Sequence, residues 1–371
     1  MTGIPSGVLK IMDTVKRHGG EVYAVGGCVR DLLLGREIHD WDLCGSLLPE
    51  KVTEIFPHTV PTGIRHGTVT VILDGTPYEL TTFRSDGSYS DHRKPDSVSF
   101  SSELKEDLAR RDFTVNAMAM DASGSIIDLF GGREDLKKGI LRCVGDPEKR
   151  FMEDALRIFR AVRFSAQLSF EISEETRRAM ERCKPYCKYL SAERIREETE
   201  KILLSPHPES IGELSDVLHR FGWSGKADYT ALSELPPERE IRIAGLLRLE
   251  PEADLRAMRF ENRTIRICTA AIRCERLTDA VSVKRMIFLY GEAAARTAAF
   301  LQGEIARFRS VIESEDCIRM QELAVCGNDF PTVTGKALGI LLNDLLAYVW
   351  EHPDANKKEE LLHIAKKRFS F

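Results

Sequence analysis

The stretch VYAVGGCVRDLLLGREIHDWDL, residues 22–43, carries the clearest structural and chemical signals in the chain. A short β-branched and aromatic run ends in Gly26-Gly27, which predicts a strand, a tight turn and then a helix. Asp40 and Asp42 alternate around a tryptophan in a second predicted strand, DWDLC, so both carboxylates are expected on one face. A glycine turn, a helix start and two alternating aspartates thus lie close together in sequence.

Two aspartates on one face of a strand repel each other unless a cation lies between them. Mg²⁺ usually takes one or two carboxylates together with substrate phosphates. Without Cβ atoms at Gly26 and Gly27, phosphate oxygens can approach backbone N–H groups, and Arg30 in the first helical turn can meet an anion. Asp40 and Asp42 alone are typical of a solvated strand end, but the combination favours a site for a triphosphate and its metal ions.

A third carboxylate is expected, because two-metal phosphoryl transfer stabilises both the attacking and the leaving oxygen. The candidate is Glu79 in the predicted strand YELTTF. An ordinary surface glutamate on an edge strand explains this residue equally well.

The segment ARRDFTVNAMAMD, residues 109–121, crowds charged and polar side chains before it becomes apolar. Arg111 is a candidate phosphate clamp, and Asp112 and Asn116 are candidates for bonding a ribose hydroxyl. The alternative is that Asp112 caps a short helix while the arginines are solvated. Capping does not exclude the nucleotide-binding function.

The segment EDALRIFRAVRF, residues 153–164, combines an apolar helical face with a charged ridge. Asp154, Arg157 and Arg160 share the ridge, whereas Arg163 has rotated almost opposite Asp154 and must approach a shared ligand from the helix edge. A salt-bridged surface helix is the usual explanation of such a charge run.

The same charged pair also suits recognition of a base. A carboxylate accepts from an exocyclic amine, and a guanidinium donates to an unprotonated ring nitrogen. Cytosine and adenine both present these two groups, whereas uracil and guanine present a carbonyl and a ring N–H. Asp154 and Arg157 would therefore accept C and A and refuse U and G, because the wrong base leaves buried polar groups unpaired.

Element patterns change after about residue 140, from α+β to almost entirely helical. The first part predicts a hairpin at Asp74-Gly75 and a strand pair around Ser123-Gly124. Helical patterns then run to the C-terminus, beginning with one helix over 148–168. SELPPERE (233–240) and PTVTGKALG (331–339) are the best candidates for internal joints.

Composition is that of an ordinary globular protein, with 371 residues, 43% hydrophobic and 30% charged. The net charge of −5 gives no global basic field, but an RNA partner needs only a local basic patch. Nine irregularly spaced cysteines are expected as free thiols in a reducing cytosol. No segment approaches the ~18 apolar residues of a membrane span, so we expect a cytoplasmic protein without a membrane partner.

In their order along the chain, these segments resemble the motifs of class II tRNA nucleotidyltransferases, the CCA-adding enzymes, which share a head domain with bacterial poly(A) polymerases. GGCVRDLLLGREIHDWDL resembles the metal and triphosphate motif, RRDFTVNA the ribose motif and EDALRIFRAVRF the base-templating helix. SAERIREETEKILL (191–204) resembles the neck helix, and YSDHRKPDSVSF (89–100) the loop required for the final A addition. The resemblance is continuous over about residues 20–205.

The resemblance implies an α+β fold, in which a nucleotidyltransferase head with a small mixed sheet precedes an all-helical neck, body and tail. The implied boundaries are 1–145 for the head, 146–205 for the neck, 206–310 for the body and 311–371 for the tRNA-binding tail. The implied activity is stepwise addition of C, C and A from CTP and ATP to the tRNA 3′ end, with release of pyrophosphate.

The matching motifs also imply residue roles. Asp40 and Asp42 hold Mg²⁺, and no separate general base is implied, because a metal-bound 3′-hydroxyl attacks the α-phosphate in line. Asp154 and Arg157 recognise the base, and Arg163 helps to complete that pocket. With the candidates from the reasoning above, the nucleotide-binding set is Gly26, Gly27, Arg30, Arg111, Asp112, Asn116, Asp154, Arg157, Arg160 and Arg163.

The alternatives within the family are enzymes that add only CC, only A or a poly(A) tail. Residues 84–100 argue against a CC-only enzyme, which is expected to lack this loop. A non-catalytic RNA-binding module is the alternative of another class. The His-Asp phosphohydrolase motif of longer relatives is absent, so no phosphatase activity is expected. We expect recognition of the tRNA acceptor stem and elbow by shape and backbone, with basic helices in 181–205 and 356–368 as candidate surfaces.

Overall fold

The computed structural model describes residues 3–64, 67–86, 98–101 and 103–369. The chain divides into two compact units, residues 1–217 (unit 1) and residues 218–371 (unit 2). The finer division into head, neck, body and tail stays a prediction. The predicted loop at 89–100 falls mostly on residues 87–97, which lie outside the described residues.

Unit 1 is built on a mixed sheet. The strands in chain order are β1 Val22–Val25, β2 Asp42–Gly45, β3 Thr59–Gly63, β4 Thr68–Leu73, β5 Thr76–Thr82, β6 Arg84–Asp86, β7 Val98–Phe100, β8 Met118–Met120, β9 Ile126–Asp128, β10 Ile140–Leu141 and β11 Glu171–Ile172. Seven of them form one sheet in the order β3-β4-β5-β2-β1-β8-β9. Only β2 and β5 are parallel neighbours in it, so the expected small mixed sheet is confirmed.

Both predicted strand pairs form. Strands β4 and β5 pair antiparallel with Leu73 opposite Thr76, which leaves a two-residue turn. Its residues Asp74 and Gly75 have φ values of 52° and 78°, as hairpin turns of this length require. Strands β8 and β9 pair antiparallel from Met118–Asp128 to Met120–Ile126.

Unit 1 adds helices to its sheet, and the regular elements described in unit 2 are all helical. In chain order the helices are α1 Ser6–Arg17, α2 Gly27–Leu33, α3 Pro49–Ile55, α4 Leu104–Ala109, α5 Gly132–Lys138, α6 Pro147–Glu153, α7 Leu156–Leu168, α8 Glu174–Cys183, α9 Ala192–Leu203, α10 Ser215–Leu218, α11 Arg239–Leu249, α12 Asn262–Arg273, α13 Ala280–Tyr290, α14 Glu292–Gln302, α15 Ile305–Glu313, α16 Gly335–Glu351 and α17 Lys358–Phe369. No helix among the described residues is long and apolar enough to cross a membrane.

The main core of unit 1 lies on one face of the sheet. The apolar stripe of α1, including Ile11 and Val15, packs with Ala24 of β1 and Leu43 of β2. Burial of a side chain such as Ile11, Val15 or Leu43 contributes about 1.5–3 kcal/mol. Since neighbouring strand residues point to opposite faces, Asp42 projects from the face opposite to Leu43 and its core. The fold thereby keeps this carboxylate out of the main core.

The predicted continuous helix over 148–168 is wrong at its centre. Helix α6 ends at Glu153 and α7 begins at Leu156, with Asp154 in an extended conformation between them (φ −146°, ψ 103°). The Asp154 carboxylate accepts a hydrogen bond from the N–H of Leu156 at 3.0 Å. This bond satisfies a donor of the first turn of α7 and so favours a new helix start.

The described residues of unit 2 include two apolar clusters. One joins α12 to α15 through residues such as Ile267, Val283 and Ala298. The other surrounds α16 and α17, with Leu345 and Leu361 fully buried. The predicted joints 233–240 and 331–339 lie at the starts of α11 and α16.

Candidate nucleotide-binding site

The turn between β1 and α2 depends on Gly26, whose backbone has φ 78° and ψ −129°. Residues with a Cβ atom rarely adopt this conformation. A Cβ atom at Gly26 would also lie 2.8 Å from Nη1 of Arg111. The glycine therefore leaves room for a guanidinium beside the start of α2, which Gly27 begins.

Arg30 on α2 is buried and held in a fixed orientation. Its Nε and Nη2 donate to the two carboxylate oxygens of Asp31 at 2.9 and 2.8 Å, and Nη1 donates to Oδ1 of Asn116 at 2.7 Å. Its guanidinium carbon lies 5.2 Å from the ring centroid of Phe164. The bidentate bonds and the ring contact already fix the Arg30 side chain in the free protein. A ligand that binds there therefore causes little further loss of side-chain freedom.

Asp42 is the first residue of β2 and lies in register with Glu79 on the parallel strand β5. Strand β2 begins two residues later than predicted, because β1 ends at Val25 and offers no strand partner to Asp40. Burial raises the pKa of Asp42; Arg111 opposes this rise and Asp40 adds to it. Burial likewise raises the pKa of Glu79, with further contributions from Asp42 and Asp40. The three carboxylates therefore repel one another.

This repulsion fits a divalent cation, which would offset it through oxygen ligands. Within the described part of the chain, no group of three or more His, Cys, Asp or Glu side chains is arranged to hold a metal ion. The donor set therefore suits a cation that takes Asp40 and Asp42 and completes its shell with other oxygens, such as substrate phosphates.

Arg111 is positioned by Asp107 on α4, a residue that we did not predict. Asp107 is fully buried and accepts from Arg110 Nη2 at 2.7 Å and from Arg111 Nη2 at 3.1 Å. Burial alone would raise the pKa of Asp107, but the two arginines lower it. Arg111 Nε is buried without a hydrogen-bond partner among the described residues. Arg111 thus keeps a donor for an anion.

Asp112 and Asn116 belong to one network with Arg160. Oδ2 of Asp112 accepts from Arg160 Nε at 2.8 Å and from its Nη2 at 2.5 Å, while Oδ1 accepts from Phe113 N–H and from Asn116 Nδ2. Burial would raise the pKa of Asp112, but Arg160 and Asn116 lower it to about 2. The short 3₁₀ helix Thr114–Asn116 has no side-chain cap, so the capping alternative for Asp112 is wrong.

Asp154 and Arg157 lie beside this network, but not on one helical ridge as predicted. Oδ2 of Asp154 accepts from Arg194 Nη2 at 2.7 Å. Arg157 donates from Nη1 to Glu153 Oε2 at 2.8 Å and from Nη2 to the Arg110 carbonyl at 3.0 Å. Arg157 thereby ties α7 to the segment that carries Arg111.

Arg163 is a predicted site residue that pairs with α9 and does not line the cavity. Its Nε lies 2.8 Å from Oε2 of Glu198 on α9, and it is not among the residues that line the cavity described below. Phe164 lies beneath Arg30, Arg160 and Arg163, with guanidinium carbons 4.2–5.2 Å from its ring centroid. All three guanidinium groups therefore lie near the same ring. Arg163 differs in its partner, because it pairs with Glu198, whereas Arg30 and Arg160 pair with Asn116 and Asp112.

One cavity of about 470 Å³ brings most of the predicted residues together. Asp40, Glu79 and Arg163 are not in its wall. Its wall includes ten of the predicted residues, which are Gly26, Gly27, Arg30, Asp42, Arg111, Asp112, Asn116, Asp154, Arg157 and Arg160.

Sequence reasoning missed four contributors to this site. Arg194 and Phe164 line the cavity, whereas Asp107 and Glu153 hold the arginines that do. Spacings of four residues, from Asp107 to Arg111 and from Glu153 to Arg157, were the available signals. No sequence spacing indicated Arg194, because the residue that it contacts, Asp154, is 40 positions away.

Comparison with known proteins gives two family matches. Residues 22–142 match the poly A polymerase head domain, and residues 169–215 match a family described as "Probable RNA and SrmB- binding site of polymerase A". The cavity residues from Gly26 to Asn116 lie within the first match. The second match contains Arg194.

Whole-chain comparisons extend this result. The chain is 39% identical to the CCA-adding enzyme of Geobacillus kaustophilus over 92% of this chain and 91% of that protein. It is 54% identical to that of Lactobacillus helveticus over 54% of this chain, an alignment that spans about half of the relative. The solved CCA-adding enzyme of Bacillus stearothermophilus in complex with CTP superposes with a TM-score of 0.84 at 33% identity, over 98% of both chains. The chain therefore belongs to the CCA-adding enzymes, the class II tRNA nucleotidyltransferases.

Proposed function

We propose that the protein adds C, C and A, one nucleotide at a time, to the 3′ end of tRNA in the cytoplasm. CTP and ATP are the substrates, and pyrophosphate is released. The family uses a divalent metal in general. Our choice of Mg²⁺ rests on its preference for carboxylate and phosphate oxygens.

The observation that carries this proposal is the composition of the 470 Å³ cavity. Asp154 and Arg157, which can recognise a base, share it with the positive Arg30 and Arg111, which can bind phosphates. Asp42 lies in the same wall. A single nucleoside triphosphate would therefore meet base-recognising, phosphate-binding and metal-binding groups together.

The reaction is a nucleotidyl transfer. The tRNA 3′-hydroxyl forms a bond to the α-phosphate, and the bond to pyrophosphate breaks. Asp40 and Asp42 would hold a divalent metal, which would supply charge stabilisation at the reacting phosphate and would favour the deprotonated hydroxyl. Arg111, with a buried Nε that has no described partner, contributes a charge-assisted hydrogen bond to the triphosphate. Glu79 adds negative charge beside Asp42, and we propose it as the third carboxylate of the catalytic group.

Base choice follows from hydrogen-bond complementarity. Asp154 accepts from the exocyclic amine of cytosine or adenine, and Arg157 donates to the neighbouring ring nitrogen. Both side chains are bonded to protein groups in the structure. A bound base therefore exchanges some of these bonds for its own.

Product length on a tRNA transcript lacking CCA tests the proposal. The transcript is incubated with Mg²⁺ and either CTP alone or CTP plus ATP, and products are resolved at single-nucleotide resolution. We expect two additions with CTP and one further addition with ATP, followed by a stop.

Other products would contradict full CCA synthesis in distinct ways. A stop after CC despite ATP indicates a CC-only enzyme, and extension only of a tRNA ending in CC indicates an A-only enzyme. A long A ladder indicates a poly(A) polymerase. No extension with any divalent metal indicates a non-catalytic RNA-binding module.

A further inference from the structure

Lys284 on α13 is fully buried, with 1% of its side chain exposed. Its Nζ donates to Oδ2 of Asp316 at 2.7 Å. Asp316 follows α15, and its side chain is 26% exposed. Lysine is rarely buried to this extent, because its ammonium group loses its hydration and then depends on a charged partner. The two side chains therefore form an ion pair that is closed to solvent at the lysine.

The ion pair lies beside both apolar clusters of unit 2. On α13, Val283 belongs to the α12–α15 cluster, whereas Val281 packs against the α16–α17 cluster. The segment 314–319, which carries Asp316, is divided in the same way. Its Cys317 belongs to the α16–α17 cluster, and its Ile318 packs against the α12–α15 cluster. The ion pair therefore joins two stretches of chain that each contact both clusters.

A contact from α16 reaches the same place. Trp350 donates from Nε1 to the carbonyl oxygen of Ile318 at 3.2 Å. Its ring lies edge-on to Phe288 of α13, with ring centroids 5.6 Å apart. Because the two apolar clusters are separate, the orientation of α16 and α17 relative to α12–α15 depends on contacts at this joint. We define the joint as α13, the segment 314–319 and Trp350.

The segment 314–319 is held in an unfavourable conformation. Glu315, which precedes Asp316, has φ 53°, in the left-handed region. A residue with a side chain stays in this region only when its surroundings fix the backbone. The N–H of Asp316 also donates to Oγ of Ser314 at 3.4 Å. Tertiary contacts, among them the ion pair with Lys284, therefore determine the shape of this segment.

A charged pair specifies geometry in a way that apolar packing does not. An apolar side chain at position 284 would avoid the desolvation of the ammonium group, and such replacements of buried ion pairs are often neutral or stabilising. Apolar contact is non-directional and tolerates sliding. The Lys284 ammonium group, in contrast, is left buried and unpaired when Asp316 moves out of hydrogen-bond distance. The pair therefore penalises other placements of the segment.

We infer that Lys284 and Asp316 form a latch that holds α16 and α17 in one orientation against α12–α15, and that tRNA binding requires this orientation. Residues 311–371 are the predicted tRNA-binding tail, so the joint sets where that tail lies for an RNA that also contacts other parts of the protein. A loose joint would have to be ordered when tRNA binds, which weakens affinity. Lys284 is thus a positioning residue. The inference rests on the proposed function, which supplies tRNA as the RNA.

Distances between α15 and the tail test the latch directly. Among the nine cysteines, Cys326 is exposed, Cys274 is partly buried and the other seven are buried. In a full-length S310C/C274S background, spin labels therefore attach at the exposed position 310 on α15 and at Cys326. Double electron–electron resonance should give a narrow distance distribution in this background. The distribution should broaden when K284M is added.

Two further variants define the contribution of the ion pair. D316A removes the same pair from its more exposed side and replaces K284M should that variant not fold, as judged by circular dichroism and thermal unfolding. The control is R296M, which removes a cation from the ion pair between Arg296 on α14 and Glu238, outside the joint. We expect D316A to broaden the distribution as K284M does, and R296M to leave it unchanged.

Kinetics with two RNAs test the consequence for binding. One substrate is a tRNA transcript lacking CCA, and the other is an acceptor-stem hairpin lacking CCA and the elbow. We expect K284M to raise the KM for tRNA roughly fivefold, with the KM for the hairpin, the KM for CTP and kcat unchanged. R296M should match the unsubstituted protein in all four values.

The outcomes separate the latch from the proposed function. An unchanged distance distribution in the folded K284M or D316A variant would overturn the inference, even where the enzyme adds CCA normally. A broadened distribution with an unchanged KM for tRNA would also overturn it, since the orientation would then not matter for the substrate. A protein that adds no nucleotide would contradict the proposed function. In that case, a broadened distribution together with weaker tRNA binding by fluorescence anisotropy would still support the latch.

Discussion

Arg194 on α9 donates from Nη2 to Oδ2 of Asp154, with 2.7 Å between the two atoms. The other carboxylate oxygen of Asp154 accepts from the Leu156 N–H at 3.0 Å. Asp154 lies in the break between α6 and α7, so no regular helix fixes its orientation. These two hydrogen bonds orient its carboxylate instead. We therefore expect Arg194 to act as a positioning residue for Asp154, the carboxylate that we propose recognises the base.

Replacing Arg194 with methionine should loosen Asp154 and weaken recognition of the base. We expect the KM for CTP to rise roughly tenfold, since a hydrogen bond between charged groups is lost, with a smaller effect on kcat. Misincorporation of UTP should increase. Steady-state incorporation kinetics with each nucleotide measure both effects. Arg178→Met removes an exposed arginine that pairs with Glu174 on α8 and is the matched control. An unchanged CTP KM in Arg194→Met would contradict the positioning role.

Asp42→Asn should separate activity from stability. Loss of this proposed metal-binding carboxylate should lower kcat by roughly a hundredfold or more. Burial raises the pKa of Asp42 despite the opposing Arg111, and Asp40 and Glu79 repel its carboxylate as well, so the charged side chain destabilises the fold. The variant should therefore unfold at a slightly higher temperature than the unsubstituted protein when no divalent metal is added. Incorporation assays and thermal unfolding in a chelator measure the two effects. Retained turnover would show that the metal assignment is wrong.

The ion pair between Asp112 and Arg160 should contribute a pH-dependent part of the stability. The pKa of Asp112 is about 2 in the folded protein and about 3.9 in an unfolded chain. The stabilisation is therefore complete above about pH 4 and is lost as the pH falls toward 2. Asp112→Asn should cost about 2–4 kcal/mol at pH 7, because Arg160 loses its partner. Urea unfolding at pH 7 and at pH 3 should show a smaller difference between the two proteins at pH 3; an equal difference would refute this linkage.

The lysines of the C-terminal segment give a second test of tRNA contact. Replacing Lys357, Lys358, Lys366 and Lys367 together should raise the KM for tRNA and leave the KM for CTP unchanged. Lys358 already pairs with Asp329 at an exposed position, so it should contribute least. Steady-state kinetics with tRNA varied at saturating CTP provide the measurement. An unchanged tRNA KM would remove this surface from the account.

Local sequence signals predicted the features that depend on neighbouring residues. Asp74-Gly75 predicted a hairpin because few residue pairs accept positive φ at both turn positions. The glycines at 26–27 predicted the turn between β1 and α2 for the same kind of reason. The order of the motifs predicted that Asp154 and Arg157 share a site with Arg30 and Arg111, and these four residues do line one cavity.

Features that depend on distant contacts were not predictable in this way. The apolar periodicity over 148–168 continues across Asp154, although one hydrogen bond to Leu156 breaks the helix there. Arg163 points away from the cavity because α9 supplies Glu198, which no local pattern reveals.

Base selection by Asp154 and Arg157 is the central claim, and single-turnover incorporation tests it most directly. The unsubstituted protein and Arg157→Ala are each given one of the four nucleoside triphosphates with tRNA lacking CCA, and with tRNA ending in CC. We expect the unsubstituted protein to use C and then A. Arg157→Ala should lose roughly tenfold or more in discrimination against U and G, with a smaller change in triphosphate affinity. If Arg157→Ala folds, incorporates C and excludes UTP and GTP as strictly as the unsubstituted protein, recognition of the base by this pair is contradicted.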